Sequence, residues 1–235
     1  MKGFALFMRQ VRVLLAHELR MELRTRESLW TASLFAAVLL TVFLFSGFDD
    51  RRIAVQSFPG VLWVSVAFVG SVVFARSFQR ERESGVIDAL LLVPGATSGL
   101  FVARTLTNLL LLLFIEAMMV PVAVGAFSVK LSGESAAFLA LVVFLGTAGY
   151  AVMGTVLSAA LSTMRLRDVL LPIVLFPLTI PLLIAGVRAT HALALDGSVA
   201  DASNWLGLMI AFDAVFLIVG RWLFEQTMDP AVAQR

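Results

Sequence analysis

The chain has 235 residues, 60% of them hydrophobic and only 14% charged, with a formal net charge of +2. Soluble domains are roughly 45–50% apolar and about 25% charged, so this composition excludes a water-soluble globular protein and makes lipid the solvent. There is no cysteine, which excludes disulfides, thiolate chemistry and cysteine metal sites; the two histidines, His17 and His191, lie far apart and do not suggest a histidine metal centre.

The first predicted element covers residues 3–27. Basic residues and three glutamates punctuate it, so it is not a span. Its apolar residues Phe4, Phe7, Met8, Val11, Leu14 and Leu15 recur with the spacing of one helix face, and Arg9, Arg12 and Arg20 fall off that stripe. A basic amphipathic helix in the membrane interface is predicted, with packing against a partner protein as the alternative. Residues 1–28 thus form an interfacial unit, 29–228 a transmembrane domain and 229–235 a tail.

Six spans follow, each near the roughly 20 residues that a bilayer requires. Span one is Leu29–Phe48, closed by Asp49-Asp50-Arg51-Arg52. Span two lies within Ile53–Ala75, with Pro59-Gly60 marking its start. Span three runs from near Leu100 to about Phe127, span four lies within Ser135–Met164, span five is Val169–Val187, and span six is about Trp205–Phe224. With the N-terminus inside, fourteen of the eighteen Lys and Arg residues fall on the inner side, which predicts cytoplasmic ends for both termini. The inner arginines also suit anionic headgroups.

Between spans two and three lies the sharpest local signal, Glu81-Arg82-Glu83-Ser84-Gly85-Val86-Ile87-Asp88-Ala89-Leu90-Leu91-Leu92-Val93-Pro94. Acidic residues favour a helix N-terminus, and Pro94-Gly95 stops the helix before the next span. The spacing leaves open a short docking helix, over about 80–94, and a plain polar loop. Two carboxylates interrupt apolar runs, Glu116 in span three and Asp213 in span six. A charged group at that depth costs on the order of 2.5–3.5 kcal/mol, so each is expected to face protein or water, either protonated or bonded to Ser, Thr or Asn neighbours, with a substrate or conformational role as the alternative. Span five carries Pro172, Pro177 and Pro181. Such a helix survives where protein or a cavity satisfies the freed carbonyls, so the span is expected to face other helices, as a hinge or re-entrant element or as a static kink. Span four carries Gly146, Gly149, Gly154, Ser158 and Ser162, small residues that permit close helix packing.

No G-x-x-x-x-G-K-[ST] loop is present, and neither Lys2 nor Lys130 follows a glycine-rich turn. The chain therefore has no recognisable nucleotide site, and no hydrolase-type serine, paired-carboxylate site or nucleic-acid motif stands out.

The segment from Glu81 to Pro94 resembles the E-R-E-x-G-x-x-[ED]-x-L-x-x-x-P pattern of type-2 ABC exporter permeases, with Asp88 where glutamate is more usual. The basic stretch Leu19–Leu29, the proline-punctuated Leu170–Pro181 and Arg188-Ala189-Thr190 narrow the resemblance to the CcmB family, haem exporter protein B of cytochrome c maturation, over about residues 9–225. That resemblance implies an all-α permease fold in the bacterial inner membrane. It also implies a coupling helix that meets a cytosolic ABC ATPase through Glu81, Arg82, Glu83, Gly85, Asp88 and Pro94. The expected partners are that ATPase, a second copy of the chain, further cytochrome c maturation membrane proteins and a haem chaperone. ATP would be bound by the partner subunit. Haem would be the cargo or, in a non-transporting assembly scaffold, would be carried by the released chaperone. A permease for a lipid or drug needs only the generic motif. His191 as a haem ligand lacks a nearby Cys, Met or Tyr partner.

Overall fold

The computed structural model describes residues 2–46, 51–77, 96–162 and 164–228. Among these residues there are seven α-helices and no strand: α1 (Lys2–Thr25), α2 (Glu27–Leu44), α3 (Arg51–Arg76), α4 (Ala96–Ala126), α5 (Gly133–Leu161), α6 (Arg167–His191) and α7 (Val199–Met228). Helices α2 to α7 are long and apolar enough to cross a bilayer. The expected spans are recovered, and most of the helices outrun them. α5 and α7 have 29 and 30 residues, about 43–45 Å of helix, because helical hydrogen bonding continues past the apolar stretch. Pro59 is not at the start of its helix. α3 begins at Arg51, and Pro59 is buried about two turns inside it.

α5 is the central helix, packed against α3, α4, α6 and α7. Its small residues make room for aromatic rings rather than for backbone alone. The indole of Trp63 on α3 fills the space left by Gly146 on α5 and Gly186 on α6, and its Nε1 donates to Thr190 Oγ1 at 3.0 Å. Phe74 lies on Gly154, and Tyr150 lies against Gly70 and donates its hydroxyl to the Ala67 carbonyl at 2.7 Å. Ser158 Oγ reaches the Phe74 carbonyl at 2.9 Å. A hydroxyl or indole N–H in an apolar interior needs such a partner, so these bonds fix the depth at which α3 meets α5 and α6.

The N-terminal helix packs on the bundle. Val11 and Glu18 are buried, and Gln10 and Leu14 stand opposite Gly99 of α4. Much of the predicted apolar stripe therefore faces protein, while Met8, Arg9, Arg12 and Arg20 are exposed. One residue, Arg26, turns the chain from α1 into α2, with φ 52° and ψ 15°. Glu22 secures the corner: its carbonyl accepts from Arg26 N at 2.6 Å and its Oε1 from Ser28 N at 3.1 Å. α5 has a side-chain cap, Ser132 Oγ accepting from Ser135 N at 3.1 Å.

Candidate functional site

The polar chemistry inside the bundle is concentrated where α4 runs antiparallel to α5. Asn108 donates from Nδ2 to Thr155 Oγ1 at 2.9 Å, and its amide also meets Ser77 Oγ of the α3 end at 3.1 Å. Thr155 passes its own proton to the Ala151 carbonyl at 2.7 Å. Two turns along, Glu116 accepts from Thr147 Oγ1 at both carboxyl oxygens, 2.9 and 2.8 Å. Eight residues separate 108 from 116, and eight separate 147 from 155, so the two rungs keep one register about 12 Å apart. Leu112 and Ala151 close the seam between them, each fully buried. Beyond Glu116 lies a groove of about 430 Å³, walled by residues that include Leu113, Val120, Pro121, Leu139 and Val143.

The second acid sits across α5. Asp213 of α7 places Oδ1 directly against Gly149, and this buried oxygen has no hydrogen-bond partner among the described residues. Gly149 follows Thr147 by two residues, about 200° around the helix axis, so α5 carries one carboxyl group on each flank. A side chain at position 149 would collide with Asp213. Among the described residues, Glu116 thus has a threonine partner and Asp213 Oδ1 has none.

The proposed docking residues Glu81, Arg82, Glu83, Gly85, Asp88 and Pro94 lie outside the described residues. The helix ends that flank them are anchored on three sides. Arg76 of α3 pairs with Glu27 of α2 at 2.7 Å. Arg104 of α4 pairs with Glu18 of α1 at 2.8 Å, with side chains only 9% and 7% exposed. Ser98, at the start of α4, donates to Glu225 of α7, whose carboxylate also takes Arg221 Nε at 3.1 Å. Phe101 and Phe224 pack beside this cluster with their rings tilted at 45°, centroids 5.2 Å apart.

α6 differs from the expectation of a proline-broken span enclosed by neighbours. It is continuous from Arg167 to His191, and Pro177 and Pro181 are exposed, opposite a buried stripe of Leu171, Leu175, Thr179 and Leu182. The proline rings turned outward leave the packed side to small residues, Ala185, Gly186 and Ala189, that let Trp63 in. Pro172 is half-buried. At the far end a π-helical turn, Ala192–Asp196, closes on Gly197 at φ 62°. His191 Nδ1 lies 3.6 Å from Asp196 Oδ2 and is 44% exposed. Among the described residues no three His, Asp or Glu side chains gather as metal ligands.

Sequence reasoning did not single out Thr147, Thr155, Ser77, Glu18 or Arg104. The signal for the first two was present: antiparallel neighbours whose numbers share a constant sum, 108 with 155 and 116 with 147. Glu18 and Arg104 carried no such mark, because a charged residue near a span end is ordinarily solvated.

A family model described as CcmB protein matches residues 9–229. The chain is 26% identical over 180 residues to a Heme exporter protein B of Pseudomonas aeruginosa, covering 77% of this chain and 80% of that protein. It is 22% identical over 207 residues to a Heme exporter protein B of Bradyrhizobium diazoefficiens, covering 88% of this chain and 91% of that one. A family match that takes in six membrane-length helices and the α4–α5 seam leaves one assignment: this chain, a multi-pass membrane protein, belongs to the CcmB family.

Proposed function

We propose that the chain is the permease subunit of an ABC-type complex of cytochrome c maturation. In this reading a separate cytosolic subunit hydrolyses ATP, and the six-helix domain converts that closure into haem export or into release of a haem-loaded chaperone. The observation that carries the reading is the family match over residues 9–229, joined to relatives named as haem exporters. The cargo comes from those names, and the ATPase from the resemblance of residues 81–94 to a coupling helix together with the missing phosphate-binding loop.

Glu81, Arg82, Glu83, Gly85 and Asp88 would meet the ATPase, with Pro94 ending the docking helix. The end of α3 that leads into them is tied through Ser77 to Asn108 of α4, which is bonded in turn to Thr155 of α5, and this gives a displacement there a direct route into the bundle. A homodimeric core in the inner membrane, with both termini cytoplasmic and further maturation proteins bound alongside, belongs to the same reading.

The test is Glu83→Lys in the reconstituted complex. Loss of ATPase stimulation or of assembly is expected, and unchanged stimulation with normal assembly would refute the docking role. Haem uptake into sealed vesicles then separates transport from chaperone release.

A further inference from the structure

The groove between α4 and α5 starts where the Glu116–Thr147 rung ends the closed seam. Its volume of about 430 Å³ falls in the range of small-molecule sites, roughly 300–1,000 Å³. Among the described residues that wall it, Glu116 alone has a polar side chain.

Two hydrogen-bond acceptors belong to this wall. Glu116 is 2% exposed, and its two oxygens share a single donor, the Thr147 hydroxyl at 2.9 and 2.8 Å. A carboxyl group keeps acceptor capacity on its oxygens whether or not it carries a proton, so one donor leaves some of it over. The other acceptor is backbone. Pro121 lies on the wall inside α4 and has no N–H to give to the carbonyl of Ala117, four residues earlier on the same wall. In a hydrocarbon surround such acceptors call for a donor.

We propose that the groove is a binding site for a bilayer amphiphile made of an apolar chain and a hydroxyl group. The chain lies along Val120, Leu139 and Val143, and the hydroxyl donates to the Glu116 carboxyl or the Ala117 carbonyl. The chemistry of the wall selects that head. A hydroxyl supplies the one donor required, and Thr147 already shows a hydroxyl satisfying this carboxyl. An ammonium brings three N–H groups into a wall with acceptors at one end only, which leaves donors stranded in apolar surroundings. A carboxylate brings acceptors alone. The source is the bilayer, because the outward faces of the same two helices carry Phe114, Met118, Val122 and Phe144 at 45–61% exposure. The site stands independently of the cargo and of the ATPase partner.

The experiment uses the full chain in lipid nanodiscs and a photoreactive long-chain alcohol, with its methyl ether, amine and carboxylate as matched probes, and maps the labelled peptides. The alcohol is expected to label α4 and α5 saturably, about tenfold more than any matched probe, since one hydrogen bond of about 1.4 kcal/mol corresponds to that factor. Unlabelled alcohol should displace it and unlabelled ether should not. Ala140→Phe, which fills the groove, should abolish labelling, while Leu208→Phe on α7 leaves it unchanged. Pro121→Ala returns a donor to Ala117 and should lower labelling several-fold. Equal labelling by alcohol and ether, failure of unlabelled alcohol to compete, or full labelling of a folded Ala140→Phe chain would overturn the proposal.

Discussion

Gly154 shows how finely single positions are set. Its missing side chain is the space that the Phe74 ring occupies, so Gly154→Ala forces a ring or a helix to move, at about 1–3 kcal/mol. Nothing lies within 4 Å of a side chain added at Gly125, and Gly125→Ala should stay within about 0.5 kcal/mol. Thermal unfolding of the two variants in one detergent should separate them clearly. Asn108 and Thr155 are a second case. A double-mutant cycle with Asn108→Leu and Thr155→Val should return a coupling of about 0.6–1.7 kcal/mol, the range for hydrogen bonds between membrane helices; zero coupling would mean that the Asn108–Thr155 rung holds nothing. At this scale the sequence is an uneven guide. An acid such as Glu116 inside an apolar run stands out, because a buried charge is costly wherever it goes. Its partner Thr147 does not, because a threonine satisfies itself on its own helix as easily as on a neighbour. Asp213 stands out in the same way, yet only the packing of α7 on α5 reveals that it meets a glycine.

At the scale of helices, periodicity and length carried most of the information. All six spans are visible as charge-free or nearly charge-free runs, since the bilayer imposes both requirements at once. What periodicity could not supply is which face of each helix meets which neighbour. The stripe Val11, Leu14 and Glu18 of α1 packs on α4 through a buried ion pair with Arg104, a pairing that no local pattern predicts. Arg104→Ala removes that partner and should cost about 3–5 kcal/mol, with much of the loss recovered when Glu18→Gln is added. Detachment of α1 would appear as faster amide exchange over residues 7–25. The prolines of α6 give the opposite outcome for the two roles they could play. Pro177→Ala and Pro181→Ala each restore a backbone donor on the exposed side of a continuous helix. A static kink predicts unchanged or raised stability with full cytochrome c maturation. A hinge role predicts the same stability with maturation reduced several-fold.

For the whole molecule, the first question is which way the bundle faces. Helix alternation puts Arg76, Arg165, Arg167 and Arg221 at one end and Arg51, Lys130 and Arg188 at the other. The chain has no cysteine, so single cysteines report without background. Lys130→Cys should react with an impermeant maleimide in intact cells, and Arg165→Cys only after permeabilisation. The reverse pattern would invert the protein and place residues 81–94 out of reach of a cytosolic ATPase. The indole of Trp63, inserted between Gly146 and Gly186, constrains whatever motion such an ATPase could drive. Rolling α3, α5 or α6 about its own axis would push an aromatic ring through main chain, so these three have to travel as a single keel. α2, with only 17% of its spanning window buried, has no such lock and is left as the part free to swing against it.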